Sequence, residues 1–301
     1  MGSTSRTFKF LHAADLHIDS PLRGLSRHDG APLERLRGAT RLALQRLVTL
    51  AATEQVALVV LAGDIYDRDW PDFHTGLFFR EQMVALQRLG VTVCIVHGNH
   101  DAQGIISREL QLPDNVRVFS SRTAQSIELA ELGVVLHGRS FPARAVPEDL
   151  AADYPAAQPG RFNIGVLHTS LSGVAGHDDY APTTLERLVA RGYDYWALGH
   201  VHARQVLREA APRIVWPGNL QGRHANETGA KGCELVTVTD GAITAAEFVP
   251  LDAVRWHQLG LALDDAAADA PAVLAEQLRA MLRGLLDAAP DRMHALRLRL
   301  S

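Results

Sequence analysis

The chain has 301 residues, 47% apolar and 21% charged, which suits one large domain, or one domain and a smaller piece, around a sizeable core. Its net charge of −4 argues against a surface coated with basic groups for nucleic acid. No apolar run approaches the roughly 18 residues that span a bilayer, and Met1–Thr7 is polar without a hydrophobic signal region, so a cytoplasmic protein without membrane contact is expected.

Taken in chain order, Phe8 to Ala14 reads as a first strand. Leu33 to Glu54 carries Leu36, Leu42, Leu47 and Leu50 at roughly helical spacing. The β-branched run Val56 to Ala62 predicts a buried strand. A helix over His74 to Leu89 is closed by Gly90, and Val91 to Val96 forms the third strand. This βαβαβ opening implies a parallel sheet core. Val116–Phe119, Ser126–Leu129 and Val134–His137 read as short strands, and 142–160, rich in Pro and Ala, as a surface loop. Strand Asn163–His168, helix Thr183–Arg191 and strand Tyr195–Leu198 follow, then strands Arg204–Arg208, Ile214–Trp216, Glu234–Thr239 and Ala245–Val249. The expected fold is α/β, with two packed mixed sheets flanked by helices over 8–250. From Val254 the pattern is a strand, an Ala- and Leu-rich helix (Ala270 to Leu286) and a strand beginning near His294 that runs to Ser301 without an evident partner. Residues 251–301 are therefore expected to be a partial, truncated second domain. Cys94 and Cys233 fall inside predicted strands and read as two buried thiols of a reducing compartment.

Charge is uneven. Residues 21–46 hold Arg23, Arg27, Arg35, Arg37, Arg41 and Arg46 against Asp29 and Glu34, a local excess of +4. Residues 203–231 hold Arg204, Arg208, Arg213, Arg223 and Lys231 against Glu209 and Glu227, an excess of +3. Both are either solvated faces or a polyanion surface.

Five core strands each end in residues able to hold a metal. Asp15-Leu-His17 follows the first, and residues two apart on an extended backbone point the same way. Gly63-Asp64-Ile-Tyr-Asp67 follows the second; Asp64 has two oxygens with which to bridge two cations, and parallel sheets place ligand sites beyond the carboxyl ends of their strands. Gly98-Asn99-His100-Asp101 follows the third, with Asn99 offering an amide oxygen, His100 a proton and Asp101 a group to orient it. His168 and the pair His200 and His202 close two later strands. Each motif alone is as readily a polar turn or cap; the ordered set is not. Mixed oxygen and nitrogen donors suit borderline divalent ions such as manganese, iron or zinc, where magnesium alone would favour oxygen ligands. Two such ions about 3.5–4 Å apart clamp both oxygens of an in-line displacement at phosphorus.

These motifs resemble the calcineurin-like metallophosphoesterase superfamily and, more narrowly, the SbcD-type DNA repair nucleases, closest to the YhaO-like bacterial exonuclease group. The narrower resemblance rests on His12-Ala-Ala-Asp-Leu-His-Ile-Asp-Ser-Pro-Leu-Arg-Gly-Leu25, Gly63-Asp-Ile-Tyr-Asp-Arg-Asp-Trp70, Tyr193-Asp-Tyr-Trp-Ala-Leu-Gly-His-Val-His202, and Trp216-Pro-Gly-Asn-Leu-Gln-Gly-Arg-His224 followed by Gly229-Ala-Lys-Gly232. It implies a two-metal DNA nuclease, an exonuclease with single-strand endonuclease action open, in which Asp15, His17 and His202 hold one ion, Asn99, His168 and His200 the other, and Asp64 bridges them. A water or hydroxide between the ions would be the nucleophile, His100 would assist the leaving oxygen, and Asp101 would fix the His100 ring. It implies DNA and an SMC-like coiled-coil ATPase, encoded with the protein, as partners, with a homodimer as one candidate assembly. Residues 254–301 would begin a DNA-guiding cap, and the family's ATPase-docking segments have no counterpart in the chain.

Two other functions fit the same residues. A phosphodiesterase for small nucleotides needs the same centre. A non-catalytic scaffold subunit of an ATPase complex would not need all seven ligand positions filled. Elsewhere, His12 reads as core, His97 and His137 as packed or as supports to the ligands, and His177 and His224 as loop residues, His224 within reach of a phosphate.

Overall fold

A computed structural model of the chain describes residues 6–20, 31–67, 73–102, 110–171, 180–261 and 270–300. Residues 21–25 and 68–70 of the quoted motifs, with Arg23, Arg27, Asp29 and His177, lie outside these ranges.

The opening is β1 (Thr7–Ala13), α1 (Ala31–Arg37), α2 (Ala39–Thr53), β2 (Leu58–Ala62), α3 (His74–Arg88) and β3 (Thr92–Val96). The helix expected over Leu33 to Glu54 is interrupted at Gly38, where helix propensity is low. β4 (Val116–Val118), β5 (Gln125–Leu129), β6 (Val134–Gly138), β7 (Phe162–His168), α4 (Leu185–Ala190), β8 (Tyr195–Gly199), β9 (Gln205–Arg208), β10 (Arg213–Trp216), β11 (Gly232–Thr239) and β12 (Ala242–Pro250) follow.

Two six-stranded mixed sheets result. The first runs β12-β11-β1-β2-β3-β4, with β1 to β4 parallel and β11 antiparallel to both neighbours. The second runs β5-β6-β7-β8-β10-β9, parallel from β6 to β10 and antiparallel at its ends. Strand alternation sorts the side chains of the first sheet. Phe10, Leu58, Val60, Cys94 and Val96 pack with Ile164, Val166, Tyr195 and Val215 of the second sheet. Leu11, Val59, Leu61, Val93 and Ile95 pack against Leu44 and Leu47 of α2 and Phe79 and Met83 of α3. The outer face of the second sheet presents Trp196, Leu198, Ile214 and Trp216 to Leu188 of α4 and to Tyr154 and Leu150. The chain is thus an α/β sandwich of two packed sheets between helical layers, as its strand and helix order implied.

The segment 142–160 is largely an exposed loop, as expected, but four residues anchor it. Val146, Leu150, Ala151 and Tyr154 are buried, Leu150–Asp153 forms a 3-10 turn capped by the Asp149 side chain, and the Tyr154 hydroxyl donates to the Val166 carbonyl at 2.7 Å. Its Pro and Ala content hid an apolar spacing that covers the second sheet.

Beyond the sandwich, β13 (Val254–Leu261), α5 (Ala270–Ala288) and β14 (Met293–Leu300) form a βαβ unit whose strands pair in parallel along eight residues. The last strand, expected to lack a partner, has one in β13. No helix among the described residues is long and apolar enough to cross a membrane.

Both cysteines are buried free thiols on β3 and β11, as expected, and burial pushes Cys94 up to about 12 and Cys233 further. His12 is core, bonded to the Tyr195 hydroxyl at 2.9 Å and the Leu198 carbonyl at 3.0 Å.

Candidate metal centre

The five ligand-bearing strands are β1, β2 and β3, adjacent in the first sheet, and β7 and β8, adjacent in the second. Three strands without a ligand, β4 to β6, intervene in sequence, yet pairing brings all five carboxyl ends to one edge of the sandwich. The turns are stitched together there: Asp15 N–H donates to the Gly63 carbonyl, His17 N–H to that of Asp64 and Ile18 N–H to that of Ile65, each at 3.0 Å. Backbone strain collects at the same edge. Asp15, His17, Asp64 and His200 hold φ of 52°, 42°, 52° and 97°, a left-handed geometry that costs on the order of 1–3 kcal/mol for a residue with a side chain. Glycines fill the closest approaches. A Cβ on Gly63, itself at φ 92°, would overlap the His168 ring, and one on Gly199 would strike the Ala62 carbonyl oxygen.

The side chains converge. His17 Nε2 lies 3.1 Å from His202 Nε2 and 3.7 Å from Asp64 Oδ2, and His202 Nε2 lies 3.8 Å from Asp15 Oδ1. His168 Nε2 lies 3.5 Å from Asp64 Oδ2 and 3.0 Å from Asn99 Oδ1. Asp64 therefore faces both groups. The His200 backbone N–H donates to both Asp15 oxygens, at 3.0 and 3.2 Å, and its ring sits 5.1 Å from the His168 ring.

These residues fit divalent cations. Asp15, His17, Asp64 and His168 are almost wholly buried. Burial, then the neighbouring Asp64, pushes the Asp15 carboxyl well up; burial also raises Asp64, against the opposing pull of His100. Burial holds the imidazoles neutral, taking His168 down to about 4 and depressing His17 and His202. Two crowded carboxylates beside neutral imidazoles form a donor set short of positive charge, which a cation supplies. The outer ring nitrogens are directed as metal-binding histidines require. The His168 Nδ1–H donates to the Ala62 carbonyl at 2.9 Å, and the His202 Nδ1–H to Glu227 Oε1 at 2.7 Å, so each Nε2 lone pair faces the centre.

Two contributors escaped the sequence reading. Glu227 is one: besides His202 it accepts from Asn219 Nδ2 at 2.9 Å and Arg223 N–H at 2.7 Å, and these partners hold its carboxyl well below the usual range against the effect of burial. Asp67 is the other. Its Oδ1 stands 2.8 Å from His100 Nδ1 and 3.9 Å from His17 Nδ1, and Ser20 Oγ–H donates to its Oδ2 at 2.7 Å. Burial works against charge on His100, but Asp67 and then Asp64 outweigh it and raise the imidazole. The role expected of Asp101 is corrected by this: its oxygens accept from the backbone N–H groups of Ile65, Tyr66 and Gly98 at 3.0–3.2 Å, bracing two ligand turns, and Asp67 stands at the His100 ring instead. His137 lies away from the centre, between Ser126 and Asn163, and His97 contributes its backbone N–H to Ser140.

The centre opens into a cleft of about 550 Å³ lined by Asn99, His100, Tyr180, His200, His202 and Lys231 among others. Most described cations of 203–231 are turned to internal partners: Arg204 to Glu234 at 2.6 Å, Arg213 to Glu209 and Glu234, Arg223 to Glu227 and Asp67, and Lys231 to the His202 carbonyl. Arg46 is bonded to the Leu251 and Asp252 carbonyls and Arg41 to Asp19. The continuous polyanion surface that the local charge excess suggested is not formed by these side chains. His224 is half exposed, 3.6 Å from Glu227.

Residues 8–204 match the profile of the calcineurin-like phosphoesterases. The chain is 39% identical over 260 residues to the uncharacterized metallophosphoesterase YhaO of Bacillus subtilis (strain 168), a match covering 85% of this chain but only 64% of that protein's length. Among solved structures it is similar to TT1561 of Thermus thermophilus (TM-score 0.44, 16% identity, 77% of this chain and 98% of that one) and to a dimetal phosphatase from Danio rerio (TM-score 0.41, 13% identity, 77% and 95%). With the profile spanning well over half of its length and residues able to hold a metal gathered at one strand edge, the chain belongs to the calcineurin-like phosphoesterase family of metal-dependent phosphoester hydrolases.

Proposed function

We propose that the chain is a two-metal-dependent DNA nuclease of the SbcD type, an exonuclease acting in DNA repair in the cytoplasm. Two divalent ions, manganese foremost and iron or zinc as alternatives, would activate a water and offset the charge of the phosphodiester when bound. Asp15, His17 and His202 would hold one, Asn99, His168 and His200 the other, and Asp64 would serve both. His100, its imidazole raised by the nearby Asp67, faces the cleft and gives its proton to the departing sugar oxygen. Asp67 keeps that ring turned, and Glu227 and the Ala62 carbonyl keep His202 and His168 in the tautomer that binds metal. The remaining proposals are an SMC-like ATPase partner, a homodimer and a DNA-guiding role for β13–α5–β14.

The observation that carries this reading is Asp64, which lies within 3.7 Å of a histidine from each of two ligand groups at the head of an open cleft. The sequence resemblance supports DNA as the phosphodiester. A phosphodiesterase for small nucleotides is the second reading, favoured by the internal pairing of the Arg-rich segment. Incubation with manganese and end-labelled duplex or single-stranded DNA, beside a generic phosphodiester, separates the two. Progressive loss of the DNA label supports the nuclease; turnover of the small diester with DNA left intact moves the assignment to the second reading.

A further inference from the structure

The cleft continues beyond the metal ligands. Past His202 its wall is formed by Gln205, Asn226, Thr228 and Lys231, none of which the centre uses as a ligand. Asn226 is exposed, yet its amide is oriented. The Gln258 NH2 donates to the Ala225 carbonyl at 2.8 Å and to Asn226 Oδ1 at 3.1 Å, and Arg297 Nη1 donates to the same oxygen at 3.1 Å. A carbonyl only accepts and a guanidinium only donates, so the Asn226 atom facing β13 and β14 is its oxygen. Its NH2 is left to the cleft it lines. Lys231, buried, donates to the His202 carbonyl at 2.7 Å and lies near the carboxylates of Glu227, Asp252 and Asp15, so it serves the ligand loop rather than the cleft. Glu227, the carboxylate in this part of the wall, is already occupied by His202, Arg223 and Asn219.

An oriented amide donor next to a centre that acts at phosphorus makes a place for another anion. We propose that Asn226 binds a second phosphate of the substrate, one nucleotide away from the phosphate that is cut, and that Gln258 and Arg297 of the C-terminal βαβ unit act as positioning residues by fixing the Asn226 amide. The proposal rests on the nuclease reading and narrows it to chains that carry a phosphate beyond the scissile one.

The test is binding, not turnover. His100→Ala protein loaded with manganese is titrated with a thymidine dinucleotide carrying only its internal phosphate, and with the same dinucleotide bearing a terminal phosphate at the 5′ or the 3′ end. One terminal phosphate should tighten binding about tenfold, a difference of about 1.4 kcal/mol. Adding Asn226→Ala should reduce that ratio to about twofold or less, as expected for a lost charge-assisted hydrogen bond, and Asn226→Asp should bring it below one by repulsion. Arg297→Ala should lower the ratio and Arg297→Lys restore it, which a residue that only stabilises the fold would not do. A ratio near one at both ends in the His100→Ala protein overturns the proposal, as does an undiminished ratio after Asn226→Ala. Failure of the wild-type protein to cut DNA would instead remove the nuclease reading, and the phosphate ratio would still be measured.

Discussion

At the scale of single residues, the convergence of the seven residues proposed as ligands was legible because they follow strand signals: a β-branched or aromatic run, then Asp-X-His, Gly-Asp, Gly-Asn-His, a strand-end His or Gly-His-X-His. Their supports were not. Glu227 is 25 residues from His202 and joins it only when a loop folds back, and Asp67 was visible in its motif without any sign that it, rather than Asp101, would meet His100. Replacing Glu227 by Gln should lower manganese affinity about 10–100-fold, the usual effect of removing the group that orients a ligating histidine; equilibrium dialysis with wild-type affinity would show that His202 does not depend on it. His100→Ala should keep its metal and lose about 10²–10⁴-fold in rate, and Asp67→Asn should lose part of that. Metal loss from His100→Ala would make His100 a ligand.

His12 gives a residue-scale prediction on stability. Burial lowers it from its ordinary value of 6.5 to about 3, against the opposing Leu198 carbonyl. Above pH 6.5 it is neutral folded or unfolded and adds no pH dependence. As pH falls below that value the unfolded chain takes a proton that the folded chain refuses, so stability is lost until about pH 3. Other titrating groups cancel when wild type is compared with His12→Gln. Between about pH 7.5 and 5.0 the wild type should lose about 2 kcal/mol more than the variant in urea unfolding; equal losses would mean that His12 is protonated in the fold.

At the scale of elements, alternation and run length revealed which strands exist and which helices lie between them. They did not reveal that Gly38 divides a helix, or that Val146, Leu150 and Tyr154 anchor the exposed loop 142–160 against the second sheet, because these apolar residues are diluted by Pro and Ala. Nor could a single strand's pattern show β13 and β14 pairing in parallel across a helix, since that partnership is set by topology. The contact between β8 and the end of β2 is a constraint of the same kind. Gly199→Ala puts a methyl group against the Ala62 carbonyl, and should cost about 1–3 kcal/mol by overpacking, read as a lowered urea midpoint. An unchanged midpoint would mean that the two sheets separate freely at this edge.

At the scale of the whole molecule, the charge pattern misled where the motifs did not. The Arg-rich stretch after β8 looked like a polyanion surface, but Arg204, Arg213, Arg223 and Lys231 hold the fold and the ligand loop together. Sequence spacing cannot distinguish a cation that will be paired from one left to solvent. With most described cations of 203–231 paired internally and a net charge of −4, binding of His100→Ala protein to duplex DNA should show a log–log salt slope of only about −1 to −2, near −0.9 for each phosphate contact; a slope of about −4 or steeper would show that other cations, outside these pairs, form a basic surface. The central claim is that the strand ends build one two-ion centre joined by Asp64. Metal titration of wild type and Asp64→Asn, with bound ions counted per chain, tests it most directly. The account predicts two ions in wild type and weakened binding of both in the variant. Two ions held at unchanged affinity by Asp64→Asn would contradict it.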